Sequence, residues 1–128
     1  MMRVVDTSAW LEWIKDSELG RRIGAEIPTP DRWIVPTIVQ FELVRALTRE
    51  MSEEAAEQAI ASSTKCVILP LDTRLAVRAA ECARAHSLAM ADAIVYATAM
   101  ENGADLLTCD AHFANLPGVV YFAKSPSP

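Results

Sequence analysis

Four acidic residues of this 128-residue chain lie in or beside apolar stretches, where a carboxylate is costly. Taking an ionised carboxylate out of water costs several kcal/mol even after the surroundings relax. Such a group therefore either keeps its proton or pairs with a cation. One shared divalent metal ion would account for all four groups in so small a chain. The four residues are Asp6, Glu42, Asp92 and Asp110.

The chemistry that such a cluster supports is phosphoryl hydrolysis. All four candidate ligands offer oxygen, which suits the hard cations Mg²⁺ and Mn²⁺ better than zinc. A cation held in this way binds the phosphate that is cut, makes a water molecule more acidic and stabilises the leaving oxygen. Three hydroxyl groups adjoin the first and last acids and could orient a carboxylate or the attacking water. They belong to Thr7, Ser8 and Thr108.

Three of these acids have structural alternatives that the sequence leaves open. Asp6 and Asp110 each precede a predicted helical turn, where an aspartate side chain commonly caps free backbone N–H groups. Glu42 precedes Arg45 and Arg49 on its predicted helix and could form an ion pair there. Each of the three is ambiguous when taken alone. The metal site is therefore predicted from the four acids together.

Asp92 is harder to explain structurally. It is the only charged residue between Ser87 and Met100, and aspartate is rarely buried without a partner. His112 closely follows Asp110, but no second histidine lies near it in the sequence. We therefore predict that His112 is a solvated turn residue rather than a ligand.

Short apolar runs alternate with helical patterns, which predicts an α/β fold whose parallel sheet is covered by helices on both faces. The predicted strands cover residues 3–5, 33–35, 66–69, 105–108 and 119–122. The predicted helices cover residues 10–14 continuing through 17–27, then 37–50, a helix after Ser52, 74–86 and 91–101. Ligands of such sheets bind at the carboxyl ends of the strands, which Asp6 and Asp110 follow. Glu42 and Asp92 lie near helix starts that face the same edge.

Composition and charge fit one domain and leave the substrate open. With 52% hydrophobic residues, the chain is predicted to form a single domain over 1–123 and a disordered tail over 124–128. The net charge of −5 argues against nucleic acid, but without the four acids 17 acidic residues become 13 against 12 basic ones. No segment resembles a membrane span or a secretory signal. Three cysteines without a pairing motif fit a reducing compartment, so a soluble, cytoplasmic protein is predicted.

Four segments carry a resemblance to a known family, in the family's order and at its usual separations. They are VVDTS at 4–8, FEL at 41–43, ADA at 91–93 and LTCDAHF at 107–113. These segments resemble the acidic motifs of PIN-domain ribonucleases, and the short chain resembles the VapC-type toxins of VapBC toxin–antitoxin systems. The resemblance implies a PIN-like three-layer α/β/α sandwich with a central, mainly parallel sheet of four to five strands. It also implies Mg²⁺- or Mn²⁺-dependent endoribonuclease activity, a homodimer, and a VapB-like antitoxin that blocks the site.

The resemblance also assigns roles to individual residues. Asp6 and Asp92 would be the principal metal ligands, and Glu42 would bind metal or activate water. Asp110 would complete the pocket, and the hydroxyl of Ser8 would assist. Some family members carry another acid at the position of His112, so the number of metal ions is left open.

Two surface features are candidate partner sites, each with a plainer alternative. Trp10, Trp13 and Ile14 form a stripe near Met51, which is either core packing or a groove that accepts an antitoxin segment. Several arginines are candidates for contacting RNA phosphates, although a solvated helix face explains them equally well. They are Arg21, Arg22, Arg45 and Arg49.

Two other functions stay open at this stage. The chain could be an interaction module that kept the fold without the activity, its acids holding a structural ion or docking an arginine-bearing partner. It could also be a Mg²⁺-dependent phosphatase or receiver domain, which likewise place an acid after the first strand. Those proteins need a second aspartate where this chain has Ser8, or an acidic pair where it has Val5 and Asp6, so they fit less well.

Overall fold

The computed structural model describes residues 1–124, which form five strands and six helices. The strands are β1 (Arg3–Val5), β2 (Trp33–Pro36), β3 (Val67–Leu69), β4 (Asp105–Thr108) and β5 (Val119–Tyr121). The helices are α1 (Thr7–Ile14), α2 (Glu18–Gly24), α3 (Thr37–Glu50), α4 (Glu53–Ser63), α5 (Thr73–His86) and α6 (Met90–Glu101). All strand pairs are parallel, in the order β3-β2-β1-β4-β5. The predicted three-layer α/β/α sandwich is confirmed.

The strand order reverses its direction at β1. The chain builds the sheet from β1 outward through β2 to β3, and then returns to add β4 on the other side of β1. Open parallel sheets bind ligands at such a reversal, because the loops after the two central strands lead away in opposite directions. Val5 pairs with Leu107, and the Asp6 N–H donates to the Leu107 carbonyl at 2.9 Å. The residue that follows β1 is thereby fixed to β4.

Burial on both faces of the sheet explains why β1 and β4 are continuous apolar runs. Val4, Val5, Leu106 and Leu107 are fully buried, and each such side chain contributes about 1.5–3 kcal/mol to stability. Helix α6 packs on β1 and β4, and its residues 93–99 are all buried. An amphipathic pattern is consequently weak in α6. Its position is fixed by core packing on nearly every side.

The predicted helix that continues from 10–14 through 17–27 is wrong in its continuity and in its end. Helix α1 ends at Ile14, Asp16 adopts a left-handed φ of 54°, and α2 begins only after Ser17, whose hydroxyl accepts the Gly20 N–H at 2.9 Å. Helix α2 then ends at Gly24. Gly20 packs so closely against the carbonyl of Glu12 that a Cβ would lie 1.9 Å from it. The turn between the helices is therefore a tight, capped corner.

The three tryptophans of the chain form one cluster. The rings of Trp10 and Trp33 lie 4.5 Å apart between centroids, and Trp13 is 5.9 Å from Trp10 and 5.8 Å from Trp33. Trp10 and Trp33 are buried, which confirms core packing for Trp10. Trp13 and Met51 are 37% and 50% exposed and line an open cavity of about 350 Å³ between α1 and α4. The predicted stripe thus belongs partly to the core and partly to a groove.

The structure describes only part of the predicted C-terminal tail. The predicted tail over 124–128 falls, apart from Lys124, outside the described residues. The single domain over 1–123 stays a prediction. Within the described part of the chain, no helix combines the length and the apolar character that a membrane crossing requires.

Candidate metal centre

Asp6 is held at the carboxyl end of β1 by hydroxyl groups. It occupies the N-cap position of α1, but its side chain makes no capping bond among residues 1–124. Instead its Oδ2 accepts hydrogen bonds from the hydroxyls of Ser8, at 2.7 Å, and Thr108, at 2.8 Å. The carboxylate is only 4% exposed. The capping alternative therefore does not describe what this side chain does.

Burial raises the pKa of the Asp6 carboxyl well above its ordinary value. Loss of solvation raises its pKa from 3.8 to about 6, although the two hydroxyl bonds act in the opposite direction. The negative charges of Glu42 and Asp110 contribute to the same increase in pKa. A nearby divalent cation would favour the charged form by the same electrostatic reasoning.

The same two hydroxyls also fix the backbone after β4. Ser8 Oγ accepts the Cys109 N–H at 3.0 Å, and Thr108 Oγ1 accepts the Asp110 N–H at 2.9 Å. The hydroxyl oxygens lie 3.2 Å apart. Ser8 and Thr108 thus connect the buried Asp6 to the start of the loop that carries Asp110, which matches the predicted positioning role of these hydroxyls.

Asp92, Asp110 and His112 bring their ligand atoms within 4.8 Å of one another. Asp92 extends from the first turn of α6, at the start of the buried part of that helix. Its Oδ2 lies 3.1 Å from Nδ1 of His112, and Asp110 Oδ1 lies 3.3 Å from the same nitrogen. Burial raises the pKa of Asp92, Asp110 raises it further, and His112 lowers it. Two partly buried carboxylates and an imidazole therefore converge on one point.

A short turn brings His112 to the acids. Asp110 Oδ1 accepts the backbone N–H of His112 at 2.9 Å and so caps the 3₁₀ turn Ala111–Phe113. Phe113 is fully buried and anchors this turn in the core. The capping alternative for Asp110 is thus confirmed, and the same residue also faces Asp92.

The sequence prediction for His112 was right about its place and incomplete about its contacts. The residue lies in a turn and its side chain is 71% exposed, as expected of a solvated residue. Its ring nevertheless contacts both carboxylates. The signal that was missed is the spacing of Asp110 and His112, because an aspartate commonly accepts the backbone N–H two residues on, which keeps the two residues close together.

Glu42 belongs to a neighbouring part of the same edge. Its Oε1 accepts a hydrogen bond from the Thr7 hydroxyl at 2.8 Å. Within residues 1–124 it forms no ion pair with Arg45 or Arg49, so the structural alternative for Glu42 is not observed. Instead these residues line an open cavity of about 210 Å³ together with Thr7 and Ala46.

The structure gathers the predicted site residues unevenly. Asp92 and Asp110 are close enough to share one ion, whereas Asp6 and Glu42 lie outside that group of mutually close ligand atoms. Asp6 is joined to it through Thr108, and Glu42 is joined to Asp6 through the adjacent Thr7. The donor set of two carboxylates and an imidazole, beside a third buried carboxylate, fits a divalent cation.

Comparisons with known proteins agree with this fold. The chain is similar to a toxin–antitoxin complex from Klebsiella pneumoniae, with 20% identity and a TM-score of 0.79 over 92% of this chain and 95% of that one. It is also similar to Mycobacterium tuberculosis VapC20, a sarcin–ricin loop cleaving toxin, with 23% identity and a TM-score of 0.75 over 91% and 96%. A third similar structure is FitAcB from Neisseria gonorrhoeae, with 21% identity and a TM-score of 0.71 over 94% of this chain and 96% of that one.

At these identities the similarity establishes the fold alone. No sequence among curated proteins matches the chain significantly. The model of the PIN domain, in contrast, matches residues 3–119, which is nearly the whole chain and includes all four predicted acids. The chain therefore belongs to the PIN-domain family.

Proposed function

We propose that this chain is a metal-dependent endoribonuclease of the VapC type, the toxin of a type II toxin–antitoxin pair. The observation that carries the proposal is the convergence of Asp92 and Asp110 beside the buried carboxylate of Asp6, at the point where the strand order reverses. Cleavage of RNA is the reaction that this arrangement supports best. The carboxylates can hold a divalent cation, and phosphodiester hydrolysis needs such a positive charge beside the phosphate and the attacking water. A cytoplasmic location is part of the same proposal.

Asp92 and Asp110 would hold Mg²⁺ or Mn²⁺, with Asp6 and Glu42 completing the acidic site. Such a cation supplies the charge that holds a phosphodiester and makes water more acidic. Ser8 and Thr108 orient Asp6 through their hydroxyl bonds. Glu42, held by Thr7, would accept a proton from the attacking water.

The cavity beside Glu42 is the proposed contact surface for the RNA backbone. Among the described residues, Arg45 forms no salt bridge, and Arg49 pairs only with its neighbour Glu50, at 3.6 Å and in an exposed position. The other two candidate arginines are engaged elsewhere. Arg21 lies 3.6 Å from Asp16, and the guanidinium of Arg22 lies 5.5 Å from the centre of the Phe122 ring.

Replacing Arg45 with Ala is expected to raise KM for RNA about three- to tenfold and to leave kcat nearly unchanged. The reason is that a phosphate contact contributes to binding and is not consumed in the chemical step. The measurement is the rate of cleavage against RNA concentration at several salt concentrations, where the salt dependence of binding should weaken by roughly 0.7 in log–log slope.

The matched control for this variant is Arg32→Ala. Arg32 is exposed and immediately precedes β2, at the opposite edge of the sheet from the site. An equal rise in KM in both variants would show that general charge, rather than the cavity beside Glu42, holds the RNA.

The groove next to Trp13 is the proposed binding site for an antitoxin. Structures similar to this chain include VapBC complexes from Salmonella typhimurium and Rickettsia felis. In this chain the groove has exposed apolar side chains, Trp13 and Met51, above small residues of α4 such as Ala55 and Ala59. A helix with an apolar face suits such a surface. A homodimer is part of the same proposal.

The inactive interaction module is the second candidate function. The exposed Phe41 and Val44 on α3 favour it, since apolar side chains of this size on a surface commonly mark contacts with other proteins. The phosphatase and receiver interpretations lose their support, because the family match covers the acids on which they rested.

The test is cleavage of a small-RNA preparation by the purified chain, freed of any bound partner, with Mg²⁺, with Mn²⁺ and with EDTA. We expect cleavage with either cation, background cleavage with EDTA, and recovery when excess cation is added back. Cleavage that continues in EDTA would contradict a metal-dependent mechanism. A folded chain that binds Mn²⁺ and leaves every RNA intact would favour the interaction module.

A further inference from the structure

We propose that His112 is itself a ligand of the cation at Asp92 and Asp110, and that its imidazole makes the site prefer Mn²⁺ over Mg²⁺. The inference rests on the proposed metal site and goes beyond its four carboxylates. It changes the predicted donor set from oxygen alone to a mixture of oxygen and nitrogen.

The separations of the imidazole nitrogen from one oxygen of each acid suit a common cation, and all three ligand atoms lie within 4.8 Å of one another. Two ligands that each lie about 2.1 Å from a metal, at right angles to one another, are about 3.0 Å apart. His112 Nδ1 lies 3.1 Å from Asp92 Oδ2 and 3.3 Å from Asp110 Oδ1. Both separations are close to those of neighbouring corners of an octahedron. The ring also faces both acids at the same time, as a shared ligand must.

The backbone holds the ring of His112 in this position. The capping bond from its N–H to Asp110 sets the distance to that carboxylate, and the buried Phe113 fixes the end of the turn. Within residues 1–124, the two acids are the only groups in polar contact with the ring. An imidazole that is 71% exposed could instead point into solvent. The contacts of Nδ1 with both carboxylates instead hold it where a ligand of a shared cation would lie.

Both acids keep oxygen atoms available for a cation. Asp110 Oδ1 accepts the His112 N–H with one lone pair and keeps a second for the cation, and Oδ2 takes part in no hydrogen bond among the described residues. Asp92 contacts the ring through Oδ2. Adding an imidazole therefore displaces neither carboxylate from the site.

The chemical consequence concerns which metal binds. Mg²⁺ strongly prefers oxygen ligands, whereas imidazole suits transition metals, whose affinity for nitrogen-containing sites rises from Mn²⁺ onward. A neutral ring also contributes less negative charge than the acid that some relatives carry at this position. The site should therefore bind Mn²⁺ more tightly than Mg²⁺.

The test uses Mn²⁺ as a spectroscopic probe of its own ligands. The chain has only two histidines, so the source of an imidazole signal can be identified with two variants. Pulsed electron paramagnetic resonance of bound Mn²⁺ is expected to show hyperfine coupling to an imidazole ¹⁴N. The coupling should vanish in His112→Ala and persist in His86→Phe, the matched control. His86 packs against the ring of Tyr96, at 5.3 Å between centroids, and phenylalanine keeps that contact.

Binding titrations give an independent readout. His112→Ala should weaken Mn²⁺ binding about tenfold or more and change Mg²⁺ binding less than about twofold. His112→Asp should tighten Mg²⁺ binding. Neither variant removes the backbone N–H that Asp110 caps, so the turn should persist.

The outcomes separate this inference from the proposed function. Bound Mn²⁺ that shows no ¹⁴N coupling, or coupling that survives in His112→Ala, would overturn the role of His112 and leave the carboxylate site intact. If the wild-type chain binds no Mn²⁺ at all, the metal site fails, and the inference and the proposed nuclease fail with it.

Discussion

Replacing Asp92 with Asn is expected to reduce RNA cleavage about a thousandfold while the fold stays intact. The substitution removes a negative charge from the centre of the site and leaves the side-chain volume almost unchanged. Loss of a metal ligand forfeits several kcal/mol of transition-state stabilisation, and about 4 kcal/mol corresponds to roughly a thousandfold in rate. Asp92 is partly buried and burial raises its pKa, so the neutral amide should not destabilise the start of α6.

Single-turnover cleavage rates and thermal unfolding of the same samples check this expectation. Asp31→Asn is the matched control, since Asp31 lies on an exposed 3₁₀ turn just before β2, away from the carboxyl ends of the strands. The control should retain wild-type cleavage. Cleavage at the wild-type rate by Asp92→Asn would show that the site has been assigned to the wrong residues.

Replacing Asp6 with Asn is expected to remove a pH dependence of stability from the metal-free protein. The pKa of Asp6 is about 6 in the folded chain against an ordinary value of 3.8. Between these values the folded chain binds more protons than the unfolded chain, so its stability falls as the pH rises. The contribution of protonated Asp6 to the free energy of unfolding is complete below pH 3.8 and is lost as the pH rises through about 6. It amounts to about 3 kcal/mol.

The asparagine variant should therefore be more stable than the wild type at pH 7 in EDTA, by roughly 10 °C in Tm. Its amide oxygen can still accept the Ser8 and Thr108 hydroxyls, so the local hydrogen bonds have a partner. The measurement is Tm between pH 4 and pH 8, with EDTA and with Mn²⁺. Mn²⁺ should raise the Tm of both proteins, since both keep Asp92 and Asp110, and should raise that of the wild type more, because the cation favours the charged form of Asp6. Parallel pH profiles for the two proteins would refute the raised pKa of Asp6.

Most of the fold could be predicted because local signals and the sheet agree. Pro36 and the apolar spacing after it fix the bounds of α3, and strands buried on both faces appear as continuous apolar runs such as that of β4. The position of Asp6 followed from the same argument, since a residue that ends a central parallel strand lies at the ligand-binding edge.

What could not be predicted depends on contacts between distant segments. Periodicity continues across the corner between α1 and α2, and only the close approach of Gly20 to Glu12 reveals the break. The partner of Glu42 was equally hidden. Its own helix offers Arg45 and Arg49, but the packing of α1 against α3 brings Thr7 to it instead.

The clustering of all three tryptophans gives the chain a built-in optical reporter. Every indole lies within 6 Å of another, and the partly exposed one, Trp13, lines the groove next to Met51. Tryptophan emission from the unmodified protein therefore comes from a single neighbourhood, away from the acidic edge of the sheet. A ligand that covers the groove would change the emission colour without any attached dye.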